Sequence, residues 1–227
     1  MTLHHNNSEP RRVLLVGEDR LSLRVLGSLL GEHGFEIVGD AVTEHAALEL
    51  LGERAPDEAV LDLPRNGGAT RAARALFECS PTVQIVVLTS GHPVQLIVDA
   101  LLAGACSHLP KESPAERLAG AVRMAADGEA CISAAAAAEL LARLRAAPRA
   151  REPFPLSTRE LQIVRLTARG CDVPEIAREL ALSERLVRKH LCNMLRKLQL
   201  AERVADGVRA TPQPIAGYSK LASGFNP

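Results

Sequence analysis

Residues 183–198 read SERLVRKHLCNMLRKL. Wound as an α-helix, this stretch puts Val187, Leu191, Met194 and Leu198 on one face, in steps of four, three and four. The opposite side carries Arg185, Lys189, Cys192 and Arg196, flanked by Arg188, Asn193 and Lys197. Five cations (Arg185, Arg188, Lys189, Arg196 and Lys197) stand on the predicted solvent side against one acid, Glu184. Ser183 suits an N-cap, because its hydroxyl can accept from the unpaired N–H groups of the first turn. Taken alone, such a helix fits a solvated basic face as well as a surface for a polyanion.

The residues upstream decide between the two. Ser157 and Glu160 have the spacing of a capping box, opening a helix whose apolar positions are Leu161, Val164, Leu166 and Ala168 and which ends at Gly170. A second short helix follows, tolerating Pro174 in its first turn and turning Ile176, Ala177 and Leu180 inward. Ala181 and Leu182 then lead into Ser183. A short helix, a tight turn and a basic helix form a helix-turn-helix, whose second helix enters the major groove of double-stranded DNA.

Over residues 156–200, LSTRELQIVRLTARGCDVPEIARELALSERLVRKHLCNMLRKLQL resembles the LuxR-type helix-turn-helix that closes response regulators of the NarL/FixJ family. It differs at Leu186, where the family usually has Thr, and at Cys192, where a polar groove residue is usual. The resemblance implies an all-α, four-helix domain over residues 153–210, with Ala201–Val208 as its closing helix. It further implies that Arg185, Arg188, Lys189, His190 and Asn193 reach the bases and that Arg196 and Lys197 reach phosphates.

A chain of 227 residues is long enough for two domains. Without Trp, and with one Tyr and four Phe, its cores must be built from Leu, Val, Ile and Ala. The net charge of zero conceals an asymmetry: residues 1–130 hold 11 basic against 18 acidic residues, and residues 153–210 hold 11 against 7. An acidic front and a basic back suit a regulatory domain joined to a polyanion binder. The five cysteines are scattered, with no C-x-x-C, which points away from a zinc site or disulfide framework and towards a reducing cytoplasm. MTLHHNNSEPRR has no apolar core for a signal peptide, and no apolar run is long enough to span a bilayer, so no membrane partner is expected.

The front alternates strand and helix five times. Strands are predicted at Arg11–Gly17, Phe35–Gly39, Ala59–Leu63, Val83–Thr89 and Cys106–Leu109. Helices are predicted at Leu21–His33, Glu44–Arg54, Thr70–Cys79, Val94–Ala103 and Ala115–Ala126. This predicts an α/β fold: a doubly wound, five-stranded parallel sheet of flavodoxin-like type. Ligands of such sheets sit beyond the carboxyl ends of the strands. Glu18 and Asp19 follow the first strand, Asp62 ends the third, Thr89 the fourth, and Lys111 follows the fifth, so all five can converge there. Three carboxylates in one crevice need a cation, and oxygen ligands suit Mg²⁺.

Residues 11–128 resemble the receiver domain of response regulators, on the strength of VLDLP around Asp62, VVLTS around Thr89 and HLPKE around Lys111. The resemblance implies that Asp62 is the phosphoacceptor, that Glu18 and Asp19 hold Mg²⁺ with it, and that Thr89 and Lys111 contact the phosphoryl group. It implies a cognate histidine kinase as partner, a homodimer when active, and a cytoplasmic transcription factor rather than an enzyme. His108 stands where an aromatic switch residue is common, and is predicted to be a packing and surface substitute rather than a pH sensor.

Residues 129–152 read as an Ala-rich linker helix and linker, with the boundary around Pro153 and Pro155. Residues 1–10 are predicted to be disordered and residues 211–227 a flexible tail. Two rival functions stay open. The loop after Asp62 is shorter than the family's D-L-x-M-P-G-x-x-G and begins Leu63-Pro64, which favours a pseudo-receiver that acts without phosphorylation. An aspartate-nucleophile phosphatase is the other, but Pro64 stands where such enzymes place their second acid.

Overall fold

The computed structural model of the chain describes residues 10–62, 68–91, 93–146 and 156–205. Expectations for residues 1–9, for the loop holding Pro64, for the boundary at Pro153 and Pro155, and for the tail lie outside the described residues.

Five strands, β1 (Arg12–Val16), β2 (Glu36–Ala41), β3 (Glu58–Asp62), β4 (Gln84–Thr89) and β5 (Ser107–Pro110), form one sheet in the order β2-β1-β3-β4-β5. Every pairing is parallel. Five helices connect or follow them: α1 (Arg20–Glu32), α2 (Glu44–Arg54), α3 (Gly68–Cys79), α4 (Val94–Ala103) and α5 (Ala115–Ala126). Contacts of α1 with α5, and of α3 with both α2 and α4, put helices on both faces of the sheet. The continuous apolar runs of β1, β3 and β4 are the consequence, since both faces of the central strands are buried. The doubly wound α/β architecture matches the sequence reading, with element ends shifted by one or two residues.

The Ala-rich segment is helical over α6 (Ala134–Ala146), entered through Ser133, whose Oγ accepts from the Ala136 N–H at 3.2 Å. It is not a free connector. Ala136, Ala137, Leu140 and Leu141 are buried, and the helix packs between α4 and the C-terminal domain. Arg143 fixes it there, donating to Asp99 of α4 at 2.6 Å and to Glu139 at 3.1 Å.

The C-terminal domain contains α7 (Thr158–Ala168), α8 (Val173–Leu180) and α9 (Glu184–Ala205) among the described residues. Both α7 and α8 open with capping boxes, Ser157 with Glu160 and Asp172 with Glu175. The second of these escaped the sequence reading, although D-V-P-E spells it. The segment predicted to close the domain as a separate helix is continuous with α9 to Ala205. Gln199, Leu200, Ala201 and Glu202 offer nothing to break the helix, so it runs on. No helix of the described residues is long and apolar enough to cross a membrane, and all five cysteines are free thiols.

One buried group works against the fold. Glu58, at the start of β3, has 0% exposure. No hydrogen bond reaches either carboxylate oxygen, and Arg11 Nη1 stands 3.7 Å away. Burial pushes its pKa up to about 7, the neighbouring Asp57 charge adds to the rise, and Arg11 opposes it. A raised folded-state pKa means that the folded chain holds this proton more tightly than the unfolded one. Stability through Glu58 is therefore complete at low pH and is lost as pH rises from the ordinary glutamate range through about 7. We predict that Glu58→Gln is nearly neutral at pH 4.5 and stabilises the chain by up to about 3 kcal/mol at pH 8. Urea denaturation at the two pH values measures this, and a gain that does not grow with pH contradicts it.

Candidate phosphoacceptor pocket and DNA-reading helix

Asp62 ends β3 next to the carboxyl end of β1, where the chain passes through Gly17 with almost no room. A Cβ on Gly17 would meet Asp62 Cβ at 2.8 Å and a Leu23 methyl at 3.1 Å. Glycine is what lets the acidic pair follow β1 so closely beside Asp62. The Lys111 ammonium contacts Asp62 Oδ1 directly, and its charge also reaches Asp19, helping to hold that carboxyl below its ordinary range. The larger causes there are Ser22 Oγ, which donates to Asp19 Oδ2 at 2.6 Å, and the Leu21 and Ser22 N–H groups, because Asp19 is the N-cap of α1. Glu18 is exposed at the rim.

Thr89 ends β4 and is buried. Its hydroxyl donates to the Leu109 carbonyl at 3.4 Å, and its own carbonyl accepts from the Lys111 N–H at 2.8 Å. Next to it, Ser90 Oγ donates to Glu112 at 2.7 Å, which lowers the Glu112 pKa. Four strand ends thus bring Asp19, Asp62, Thr89 and Lys111 to one edge, as the spacing predicted. The donors are carboxylate oxygens, which fit a hard divalent cation by their chemistry. Among the described residues no three His, Cys, Asp or Glu side chains are clustered tightly enough to hold a metal ion. Asp62 is engaged with Lys111, and Glu18, Asp19 and Asp62 would have to draw together around a cation.

His108 is buried on β5, with no hydrogen bond at Nδ1, and burial lowers its pKa to about 4. It packs as expected but is buried, not at the surface, because β5 is covered at this position.

In the second domain, Ala181 turns the chain in the left-handed region at φ 52°, and Ser183 Oγ accepts from the Leu186 N–H at 3.2 Å. Val187, Leu191, Met194 and Leu198 are all buried against α7 and α8, as their spacing required. Lys197 donates to Glu160 at 2.8 Å, a contact within this domain that draws it away from the phosphate role assigned to it. Asn193 and Arg196 are exposed, and Lys189 and His190 are half-buried.

The remaining side of α9 differs from the expectation. Arg185, Arg188, Cys192 and Gln199 share a face, and that face meets the first domain, with Cys192 and Gln199 buried and Arg185 at the exposed margin. Arg185 Nε lies 3.1 Å from Glu129 Oε1 and its Nη2 lies 3.6 Å from Asp127 Oδ2. Arg188 Nη1 lies 4.0 Å from Glu129, and its Nη2 donates to Glu184 at 2.7 Å. The Ala130 N–H donates to the Arg188 carbonyl at 3.1 Å. Cys192 is 1% exposed, and burial raises its thiol pKa. Sequence reasoning placed these arginines on the solvent side because Asp127 and Glu129, their partners in the first domain, lie more than fifty residues away in the chain.

An acidic pocket at the carboxyl edge of a doubly wound sheet, followed by a helix-turn-helix, is the arrangement of a signal-receiving DNA-binding regulator. Residues 13–123 match the family described as response regulator receiver domain, and residues 154–206 match the one described as bacterial regulatory proteins, luxR family. The chain is 31% identical over 204 residues to the DNA-binding transcriptional activator DevR/DosR of Mycobacterium tuberculosis, covering 88% of this chain and 94% of that one. It is 33% identical over 209 residues to the nitrate/nitrite response regulator protein NarL of Escherichia coli K12, covering 89% and 96%. The solved signal receiver domain of the putative response regulator NarL from Mycobacterium tuberculosis aligns with a TM-score of 0.50 and 26% identity, over 53% of this chain and 99% of that one. The chain belongs to the NarL/FixJ family of response regulators and is a DNA-binding transcriptional regulator.

The tightness at Gly17 gives a test of the pocket's packing. Gly17→Ala should destabilise the chain by about 1–3 kcal/mol by pushing Asp62 aside. Gly31→Ala, in the exposed last turn of α1 with nothing within 4 Å of the new methyl, should stabilise by up to about 1 kcal/mol. Thermal melts of the two variants should move in opposite directions.

Proposed function

We propose that Asp62 accepts a phosphoryl group from a cognate histidine kinase and that this frees α9 to read DNA. The observation that carries the reading is the Lys111 ammonium seated on the Asp62 carboxylate, with the Lys111 N–H bonded to the Thr89 carbonyl. An Asp62 oxygen attacks phosphorus as the bond to the donor breaks, leaving an acyl phosphate. Lys111, already in place, moves from carboxylate to phosphoryl oxygens, and Thr89 gives up its long hydrogen bond to Leu109 to donate to them. Glu18, Asp19 and Asp62 would hold Mg²⁺, which when bound neutralises phosphoryl oxygens. The chain regulates and does not turn over a substrate, and it works in the cytoplasm.

With α9 docked on the first domain, Cys192 is buried, Arg188 is largely covered, and Arg185, though still exposed, is paired with the carboxylates of Asp127 and Glu129. Release exposes this face. Two copies then read adjacent half-sites of double-stranded DNA through Arg185, Arg188, Lys189, His190 and Asn193, with Arg196 and, once parted from Glu160, Lys197 on phosphates. A second reading, control without phosphorylation, draws on the engagement of Asp62 by Lys111 in the absence of a tight acidic cluster among the described residues.

Intact mass after incubation with Mg²⁺ and acetyl phosphate separates the two. The wild type should gain one phosphoryl group and Asp62→Asn none; an unmodified, folded wild type rejects the phosphorylation reading. Lys189→Ala should weaken DNA binding about tenfold or more by gel shift or fluorescence anisotropy, and its salt dependence should become shallower. Unchanged affinity removes Lys189 from the interface.

A further inference from the structure

The most completely buried polar contact between the two domains involves neither an arginine nor the phosphorylation pocket. Gln199 lies two turns beyond Cys192 on α9 and is 2% exposed. Its Nε2 donates to the Leu101 carbonyl at 2.7 Å and to the Ala105 carbonyl at 2.9 Å. The Leu101 carbonyl lies in the last turn of α4, where the backbone gives it only a long 3.4 Å bond from the Gly104 N–H, and the Ala105 carbonyl lies two residues past the helix end. The chain leaves α4 through Gly104 at φ 143°, and a Cβ there would meet Phe77 Cβ at 2.5 Å, so this end of α4 is pressed tightly on α3. One side-chain amide on α9 therefore acts as the C-cap of a helix in the other domain.

We propose that Gln199 is the positioning residue through which the DNA-binding domain senses α4. Both amide protons can be satisfied together only while the Leu101 and Ala105 carbonyls keep their present spacing. At its other end α4 follows β4 and the Thr89–Ser90 segment, so a hydroxyl drawn towards a phosphoryl group pulls on the strand end that leads into α4. A shift of α4 breaks the cap, and a buried amide without acceptors favours undocking. The ion pairs of Arg185 with Asp127 and Glu129 sit at a more exposed margin, where solvent screens them, and they tolerate such a shift. Gln199 is thus the part of the interface that depends on the geometry of α4, and the arginine pairs are the part that depends on charge.

This rests on the reading that docking withholds α9 from DNA, and the test separates the two. Cys192, 1% exposed while docked, supplies a readout that needs no DNA: its alkylation rate in the full-length chain, followed by peptide mass mapping. Gln199→Met fills the same space and removes only the donor. Gln199→Glu sets carboxylate oxygens against the two carbonyls. Without acetyl phosphate, the rate at Cys192 should rise on the order of tenfold to a hundredfold in Gln199→Met, and further in Gln199→Glu. DNA affinity should rise in the same order. If Gln199 served packing alone, Gln199→Met would match the wild type, and that result overturns the proposal. Faster alkylation with no gain in DNA binding keeps the latch and rejects the occlusion reading. Circular dichroism melts show whether each variant is folded. Should Gln199→Met not fold, the wild type decides: Cys192 alkylation that is unchanged in the chain shown by mass to be phosphorylated also overturns the proposal.

Discussion

A parallel sheet covered by helices on both faces has only its strand ends left for chemistry, and the carboxyl ends gather the loops with short reach and free polar groups. That constraint explains why Asp19, Asp62, Thr89 and Lys111, scattered over some ninety residues, share one edge. It also explains Gly17. The chain leaving β1 passes Asp62 so closely at Gly17 that a side chain there would occupy the space Asp62 needs.

The edge communicates with the rest of the molecule through α4. At one end the helix follows β4 and Thr89; along its length it holds α6 through Asp99 and Arg143; at its far end it receives Gln199. The Ala-rich helix thereby becomes part of the structure and not a spacer, because its small residues let it pack closely between α4 and α7. The two domains are joined by contacts of different kinds. Backbone and amide hydrogen bonds fix distance, whereas the arginine–carboxylate pairs supply attraction over a wider range of positions.

Much of this was legible in the residues. Strand ends at Asp62 and Thr89, the bounds of α2, α4 and α5, and the capping box of Ser157 and Glu160 all follow from local rules of periodicity and hydrogen-bond supply. The buried stripe of Val187, Leu191, Met194 and Leu198 was readable for the same reason: a helix repeats every 3.6 residues, so its apolar face is written in spacing alone. The length of α9 was misread. Two helices were expected where an unbroken run of helix formers makes one.

Sequence by itself determined the alternation of strands and helices, the identity of the pocket side chains and the amphipathic character of α9. Only the tertiary structure decided what the polar side of α9 faces. Arg185, Arg188 and Cys192 look alike in sequence whether water, DNA or another domain lies opposite, because spacing records which residues share a face and says nothing about its partner. Gln199 is the sharpest instance. An amide late in a basic helix reads as solvent-facing, and it became a buried cap only because folding brought the Leu101 and Ala105 carbonyls at the end of α4 to it.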